Sequence, residues 1–194
     1  VYHATLAINA TPQAFCAQLE SVQPPNAVSW AGAAASAHAD YVAWSEKAPP
    51  IPGAMQFGAA LTQLREKLGE DFIVTSGAGN YNTHVGRFLR IPKFGCQLAT
   101  TSGSMGYGVP AAIGAKRLHP EKTVVSFAGD GCFLMNGQEL ATAVQYDLGV
   151  IVVVVDNGMY GTIRMHQERE YPGRISGTEL KNPDFAAYAR AFGG

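Results

Sequence analysis

The stretch TVVSFAGDGCFLMNGQELATAVQYDLGVIVVVVDNGMYG, residues 123–161, contains two short apolar runs with a longer amphipathic segment between them. The runs TVVSFA at 123–128 and VIVVVV at 150–155 are predicted strands, and residues 137–148 are a predicted helix. Strands that read as nearly continuous Val and Ile are typical of parallel sheets covered by helices on both faces. The stretch therefore predicts an open, doubly wound α/β domain with a parallel sheet.

The rest of the chain continues this alternation of helices and strands. A helix is predicted at 56–68, a strand at FIVTS, 72–76, and a helical run at 105–117. A last helix is predicted near the end of the chain, with Asn182 as its N-cap and Pro183 in its first position. No repeat, low-complexity tract or heptad pattern interrupts the order.

The N-terminal quarter differs in composition from the α/β part. It is rich in Ala and predicts one helix that begins with Thr11 as N-cap and a second at about 31–47. The segment APPIPG, 48–53, contains three prolines and a glycine, which exclude regular structure. We therefore expect a domain boundary there, with 1–48 as the tail of a preceding domain plus linker and 49–194 as the main domain.

Composition narrows the classes of partner. The 194 residues are 47% apolar and 15% charged, with 14 Lys and Arg against 15 Asp and Glu, so no basic surface for nucleic acid or for an anionic membrane is expected. The three cysteines form no CxxC pair and fit a reducing compartment, which predicts a cytoplasmic location. Because the sequence starts without Met and stops just after a helical pattern, we expect it to be part of a longer protein.

Three glycine-rich segments follow predicted strands: SGAGN at 76–80, GDGCF at 129–133 and DNGMYG at 156–161. The carboxyl ends of parallel strands meet at one edge of a sheet, where ligands of such domains bind. Short glycine turns let backbone N–H groups approach a bound anion. The three segments together predict a site for a ligand that carries phosphate.

Two side chains in these segments are candidate metal ligands. Asp130 follows a strand between two glycines, and we expect its carboxylate to be exposed in the loop. Asn157 follows the next strand, and Mg²⁺ accepts amide and carboxylate oxygens alongside those of phosphate. Taken singly, each is an ordinary turn or strand-end residue, and only the combination favours a metal site.

The order GDG, helix, apolar strand, Asn resembles the cofactor motif of thiamine-diphosphate-dependent enzymes. GSMGYGVPAAIGA at 103–115 and NGQELATAVQYDLGV at 136–150 are similar to the acetolactate synthase branch of that family. The resemblance covers roughly residues 50–194. Residues 1–25 resemble the end of the family's central domain.

The resemblance implies a role for each matched residue. Asp130 and Asn157 would bind Mg²⁺ through side chains and Met159 through its carbonyl, although the family often has Asn where this chain has Asp156. Met105 and the carbonyl of Gly103, the residues assigned to catalysis, would hold thiamine diphosphate in a bent conformation. The complete set assigned to the cofactor is Gly79, Asn80, Tyr81, Gly103, Met105, Gly129, Asp130, Gly131, Cys132, Asn157, Met159, Tyr160 and Gly161.

The resemblance also implies what this chain does not contain. The family's activating glutamate comes from a separate pyrimidine-binding domain, usually of a neighbouring subunit, so we expect half an active site, an inactive isolated chain and a parent protein that is a homodimer or homotetramer. The expected substrate is a 2-oxo acid such as pyruvate, which the parent would decarboxylate and then protonate or join to a second carbonyl compound. Candidates for contact with substrate are His84, Arg164 and His166. Whether the parent's central domain binds FAD is left open.

Other functions remain open on the sequence. Within the family these are an oxo-acid decarboxylase, a benzaldehyde lyase or an oxalyl-CoA decarboxylase, because fold and cofactor do not determine the substrate. Outside it they are a non-catalytic phosphate- or nucleotide-binding module and a scaffold that has lost its cofactor. The presence of Asp130, Asn157 and the glycines argues against the last of these.

Overall fold

The computed structural model describes residues 2–194 and divides the chain into two compact units between Tyr41 and Val42. Within the described residues no helix is long and apolar enough to cross a membrane. The segment 48–53 lies in the second unit, and the assignment of 1–48 and 49–194 to different domains stays a prediction. The helices are α1 Pro12–Leu19, α2 Ala33–Glu46, α3 Phe57–Leu68, α4 Tyr81–Phe88, α5 Gly108–Leu118, α6 Asp130–Asn136, α7 Leu140–Gln145, α8 Gly161–Glu170 and α9 Phe185–Ala191; the strands are β1 Phe72–Ser76, β2 Gln97–Ala99, β3 Thr123–Gly129 and β4 Ile151–Val155.

The four strands form one parallel sheet in the order β2-β1-β3-β4, which confirms the predicted α/β class. From β1 the chain first adds β2 on one side and then crosses to β3 on the other. Connections that leave in opposite directions open a crevice at the carboxyl ends of the adjacent strands. The topology therefore places the ligand-binding edge at the ends of β1 and β3.

Each face of the sheet packs against helices. On one face, Phe72 and Val74 of β1 and Phe127 of β3 pack with Leu61 of α3 and Phe88 of α4. Alternate residues of the same strands point to the opposite face and pack with α5 and with residues from α6 and α7. Strands β1 and β3 are buried along most of their length, as Val- and Phe-rich central strands require.

Strand β4 departs from the prediction that these strands are covered on both sides. Within residues 2–194 it pairs only with β3; Ile151 is 51% exposed and the other four residues are half-buried. In the part of the chain that the structure describes, β4 is therefore apolar without being completely buried. An apolar run indicates a strand but not its position in the sheet.

Several helices begin or end at residues other than those predicted, for reasons of local backbone geometry. Helix α5 starts at Gly108 and not at 105, because Gly103 and Gly106 have positive φ angles of 70° and 81° that a helix cannot contain. The segment 137–148 is a 3₁₀ turn, Gly137–Glu139, followed by the short α7. Helices α4, α6 and α8 and strand β2 were not predicted.

The predicted N-cap of the last helix is wrong. Helix α9 begins at Phe185, and the Asp184 carboxylate caps it by accepting a hydrogen bond of 2.9 Å from the Ala187 N–H. That hydrogen bond lowers the pKa of Asp184. Asn182 lies two residues before this cap, and its side chain points instead to the carboxyl edge of the sheet, where it bonds Asp130.

Candidate functional site

A cavity of about 620 Å³ opens at the carboxyl ends of β1, β3 and β4. Its wall contains parts of all three glycine-rich segments, 76–80, 129–133 and 156–161. Every residue that the resemblance assigns to the cofactor lines this cavity, including Gly103 and Met105 from the segment before α5. The structure thus brings the predicted residues together, while the role of each one stays a prediction.

Asp130 is buried and helical, which corrects the expectation of an exposed loop carboxylate. Only 3% of the residue is exposed, and it is the first residue of α6, with Gly129 as N-cap. Its Oδ1 accepts a hydrogen bond of 2.9 Å from the Gly131 N–H, and its Oδ2 accepts one of 2.7 Å from the Asn182 amide. The carboxylate is buried because α6 starts at the strand end and leaves no loop there.

This buried carboxylate has no cationic partner in the described residues. No Lys, Arg or His nitrogen lies within ion-pair distance of Asp130 in residues 2–194. A buried charge with two hydrogen bonds and no opposite charge is costly, and proteins usually meet that cost with an ion pair or a bound metal. Asp130 is therefore a candidate ligand for a cation.

Asn157 and Met159 lie on the loop after β4, which turns tightly. Gly158 between them has a φ of 68°, a left-handed conformation that favours glycine. The Asn157 Oδ1 accepts a hydrogen bond of 3.2 Å from the Met159 N–H, and the Met159 carbonyl accepts one of 2.9 Å from the Gly161 N–H. Both oxygens assigned to the metal thus lie on one short, ordered turn.

A second segment holds this turn in place. The return segment, residues 178–182, runs alongside it, and the Tyr160 N–H donates to the Thr178 carbonyl over 2.8 Å. The Leu180 N–H donates to the Gly158 carbonyl over the same distance. The conformation of the turn therefore depends on residues about twenty positions further along the chain.

The Cys132 thiol links three parts of the cavity wall. Its Sγ accepts a hydrogen bond of 3.0 Å from the Gly106 N–H, and the Tyr81 hydroxyl donates to it over 3.8 Å. The same hydroxyl accepts from the Gly77 N–H at 3.1 Å. Burial, and then the neighbouring thiol, raise the pKa of Tyr81, so the phenol remains a donor at neutral pH. Cys132 thus serves as a packing and hydrogen-bonding group.

Close packing explains a glycine of the GDG motif. A Cβ on Gly131 would lie 2.4 Å from a ring carbon of Tyr160, so only glycine lets the turn after β3 and the turn after β4 approach this closely. The Thr162 hydroxyl donates to the Asn80 amide oxygen over 3.0 Å and joins the first and third segments. These contacts connect the turns that follow β1, β3 and β4.

The loop that contains Gly103 and Met105 is more open. Gly103 is exposed and Met105 is half-buried. The loop is fixed at its end, where the Asn136 side-chain amide donates to the Gly106 carbonyl over 2.9 Å. Met105 consequently presents apolar surface to the cavity without being part of the core.

One of the three candidate substrate contacts reaches the cavity. His84 lines it from α4, whereas Arg164 and His166 do not. Arg164 pairs with Glu168 at 3.0 Å along α8, and a His166 nitrogen lies 2.9 Å from a guanidinium nitrogen of Arg169. These contacts fit a solvated helix face better than a substrate site.

Sequence reasoning missed several residues of the site. Asn182 was interpreted as a helix cap because it precedes a proline, and nothing local in the sequence connects it with Asp130. Thr162 lies in the first turn of α8, which was not predicted, and Ile51 and Phe57, which also line the cavity, precede β1 along the chain. Only tertiary contacts identify them.

The cavity chemistry fits a diphosphate held by a divalent cation. The donor atoms are a carboxylate, an amide oxygen and a backbone carbonyl, all hard oxygens of the kind that Mg²⁺ prefers. No Lys or Arg is among the described residues that line the cavity, so the negative charge of a diphosphate would need a metal ion to balance it. Residues 2–194 contain no cluster of three His, Cys, Asp or Glu side chains that could hold a metal by themselves. Ligand oxygens would therefore have to complete the coordination.

The amino-acid sequence matches the model of a known protein family. The family model described as "thiamine pyrophosphate enzyme, C-terminal TPP binding domain" matches residues 77–194, which include all three glycine-rich turns after Ser76. Thiamine pyrophosphate is another name for thiamine diphosphate. The match covers more than half of the chain.

Curated relatives include acetolactate synthases. The large subunit from Parasynechococcus marenigrum (strain WH8102) is 41% identical over 147 residues, which are 75% of this chain and 24% of the relative. The isozyme 3 large subunit from Escherichia coli (strain K12) is 47% identical over 92 residues, which are 47% of this chain and 16% of the relative. The chain thus spans about a quarter of the length of the first relative and a smaller share of the second.

A solved structure shares the fold. The thiamine diphosphate-dependent 4-hydroxybenzoylformate decarboxylase of Rhodococcus jostii RHA1 superposes with a TM-score of 0.70 and 24% identity. The superposition covers 76% of this chain and 28% of the decarboxylase. At this identity the likeness concerns architecture alone.

Proposed function

Since this chain belongs to the thiamine pyrophosphate enzymes, of which it carries the C-terminal cofactor-binding domain, we propose that it binds the cofactor's diphosphate through a bridging Mg²⁺ ion. The observation that carries the proposal is the buried Asp130 carboxylate, which has no cationic partner in the described chain. Asn157 and the Met159 carbonyl would be the further protein ligands. The Gly131 and Cys132 amides at the start of α6 would face the diphosphate.

The proposed activity of the full-length protein is that of a 2-oxo-acid decarboxylase and carboligase of the acetolactate synthase type. The curated relatives with this name support it over the other activities in the family. When bound, thiamine diphosphate supplies the carbanion chemistry that such reactions need. The residues of this chain would bind and orient the cofactor: Asp130 and Asn157 at its diphosphate, Gly103 and Met105 at its rings.

We propose further that this chain needs a partner domain for turnover. No glutamate of the described residues lines the cavity, so a group that activates the pyrimidine would come from elsewhere. We expect the 194-residue chain, saturated with thiamine diphosphate and Mg²⁺, to release no carbon dioxide from pyruvate above background. Robust turnover by this chain alone would contradict the half-site proposal.

Calorimetry on the full-length protein tests the metal. We expect the affinity for thiamine diphosphate to fall at least about tenfold when Mg²⁺ is replaced by excess chelator, because the diphosphate then faces Asp130 without a bridging charge. Thiamine without phosphates serves as the control and should bind equally in both conditions. Equal affinity of the diphosphate with and without chelator would overturn the metal proposal, and stronger binding of Mg²⁺-ADP would favour a nucleotide-binding module.

A further inference from the structure

The side chain of Asn182 lies between two acidic residues at the cavity edge. Its amide nitrogen is 2.7 Å from Oδ2 of Asp130 and 2.7 Å from Oδ1 of Asp156. An Asn amide carries two hydrogens, so it donates one to each carboxylate. Two negative groups that would otherwise repel each other are thus joined by one neutral donor.

The contacts of the two acids differ in a way that matters for a metal. Asp130 belongs to α6 and lines the cavity, whereas Asp156 does not line it. Oδ1 of Asp156 also accepts a hydrogen bond of 3.0 Å from the Gly158 N–H, so this oxygen has two donors. Asp156 is therefore turned toward its own backbone and Asn182, while its neighbour Asn157 lies in the cavity wall.

The backbone of the return segment fixes the position of Asn182. Thr178 is 1% exposed, and Thr178 and Leu180 are both hydrogen-bonded to the turn after β4. The Oδ1 of Asn182 is buried and has no hydrogen-bond partner among the described residues. A buried amide oxygen without a partner lowers the stability of the fold. The two hydrogen bonds to carboxylates therefore indicate that the Asn182 side chain positions those carboxylates.

We propose that Asn182 is a positioning residue that selects which acid ligates the cation: it orients the Asp130 carboxylate toward the cavity and holds Asp156 away from it. This inference rests on the proposed metal-bridged binding of the diphosphate. Without Asn182, the two carboxylates would separate by repulsion, and Asp156 would be free to compete with Asn157 for the cation. Replacing Asp156 by Asn removes the repulsion and replaces the charged competitor by a weaker, neutral amide.

Four forms of the full-length protein test the proposal: wild type, N182A, the double variant D156N/N182A, and D184A as a matched control. D184A removes the cap of α9 two residues away and leaves both carboxylates and Asn182 in place. The first measurement is the calorimetric affinity for thiamine diphosphate in saturating Mg²⁺. The second is Mn²⁺ binding in the presence of thiamine diphosphate, followed by electron paramagnetic resonance, which needs no catalytic activity.

We expect N182A to weaken metal and cofactor binding by about 10- to 100-fold, as losses of residues that orient metal ligands do. D156N/N182A should recover most of that loss, and D184A should stay near wild type in both measurements. Equal losses of affinity in N182A and D184A would show that Asn182 has only a structural role. Unchanged affinity in N182A, or no recovery of affinity in D156N/N182A, would also overturn the inference. If wild type binds thiamine diphosphate equally well in Mg²⁺ and in excess chelator, the proposed function is wrong and this inference is wrong with it. If binding by wild type depends on the metal but N182A binds as well as wild type, only this inference is wrong.

Discussion

The Asp130 turn and the loop with Gly103 and Met105 form two parts of one cavity wall, and they are built differently. At the Asp130 turn both carboxylate oxygens and the Cys132 sulfur have hydrogen-bond donors, and the residues are buried. In the loop, Gly103 is exposed and Met105 is half-buried. The difference fits the proposal that this chain supplies a well-packed part of the wall for the diphosphate and a more open part for the cofactor's rings.

His84 supports the same contrast. It lines the cavity, its ring lies 5.8 Å from that of Phe57, and its Nδ1 is buried without a hydrogen-bond partner in the described chain. This unsatisfied nitrogen in an apolar surrounding differs from the Asp130 carboxylate, both of whose oxygens accept hydrogen bonds. The contrast concerns the Asp130 carboxylate and His84 themselves, since the Asn182 Oδ1 beside Asp130 is also buried without a hydrogen-bond partner in the described residues.

The largest effect is expected from Asp130→Asn, which removes the charge at nearly constant volume. Loss of a charged ligand costs on the order of 3 kcal/mol, so we expect an affinity for thiamine diphosphate in Mg²⁺ about 100-fold weaker. Calorimetry on the full-length protein measures it, with the thermal midpoint of unfolding as the check on folding. A variant with wild-type affinity would remove Asp130 from the metal site.

Gly131→Ala tests whether close packing builds the diphosphate part of the wall. The new methyl group would meet the Tyr160 ring at 2.4 Å, and we expect a loss of about 1–3 kcal/mol in the free energy of unfolding. Denaturant titration measures it. Gly149→Ala is the matched control, since a Cβ there meets nothing within 4 Å. Equal stability of the two variants would show that Tyr160 moves aside at little cost.

Met105→Ala addresses the open part of the wall. Because Met105 is half-buried, we expect a loss below about 1.5 kcal/mol in the free energy of unfolding, less than a core methionine costs. In the full-length protein we expect much slower exchange of the C2 proton of bound thiamine diphosphate, measured by quenched-flow NMR. Leu118→Ala, at a residue 77% exposed, is the control. Unchanged exchange would leave Met105 with a packing role only.

The smallest effect is expected from Tyr81→Phe, and it depends on pH. Burial raises the pKa of Tyr81 above its value of about 10 in the unfolded chain, so the folded state favours the protonated phenol. This contribution to stability is present below pH 10 and is lost as the pH rises further. We therefore expect wild type to lose stability more steeply than Y81F above pH 10, by denaturant titration. Parallel curves would contradict this, and Tyr146→Phe, at an exposed phenol, is the control.

Strands and glycine turns were predictable because their signals are local. The runs at 72–76, 123–128 and 150–155 became β1, β3 and β4 to within one residue, since a short run rich in apolar and β-branched residues between turn signals indicates a strand locally. The three turns then had to meet at one edge, because parallel strands place their carboxyl ends together. Strand β2, with three residues, is too short to give such a signal.

The sequence by itself determined the parallel α/β class, the meeting of the three glycine-rich segments and the chemical type of the candidate ligands Asp130 and Asn157. Tertiary structure alone decided that Asp130 is buried and that Asn182 serves two carboxylates while Asp184 caps α9. Propensities and caps act over a few residues, so they can be read along the chain. The bond from Asn182 to Asp130 joins positions 52 apart, and its partner is determined by how the return segment packs against the turn after β4.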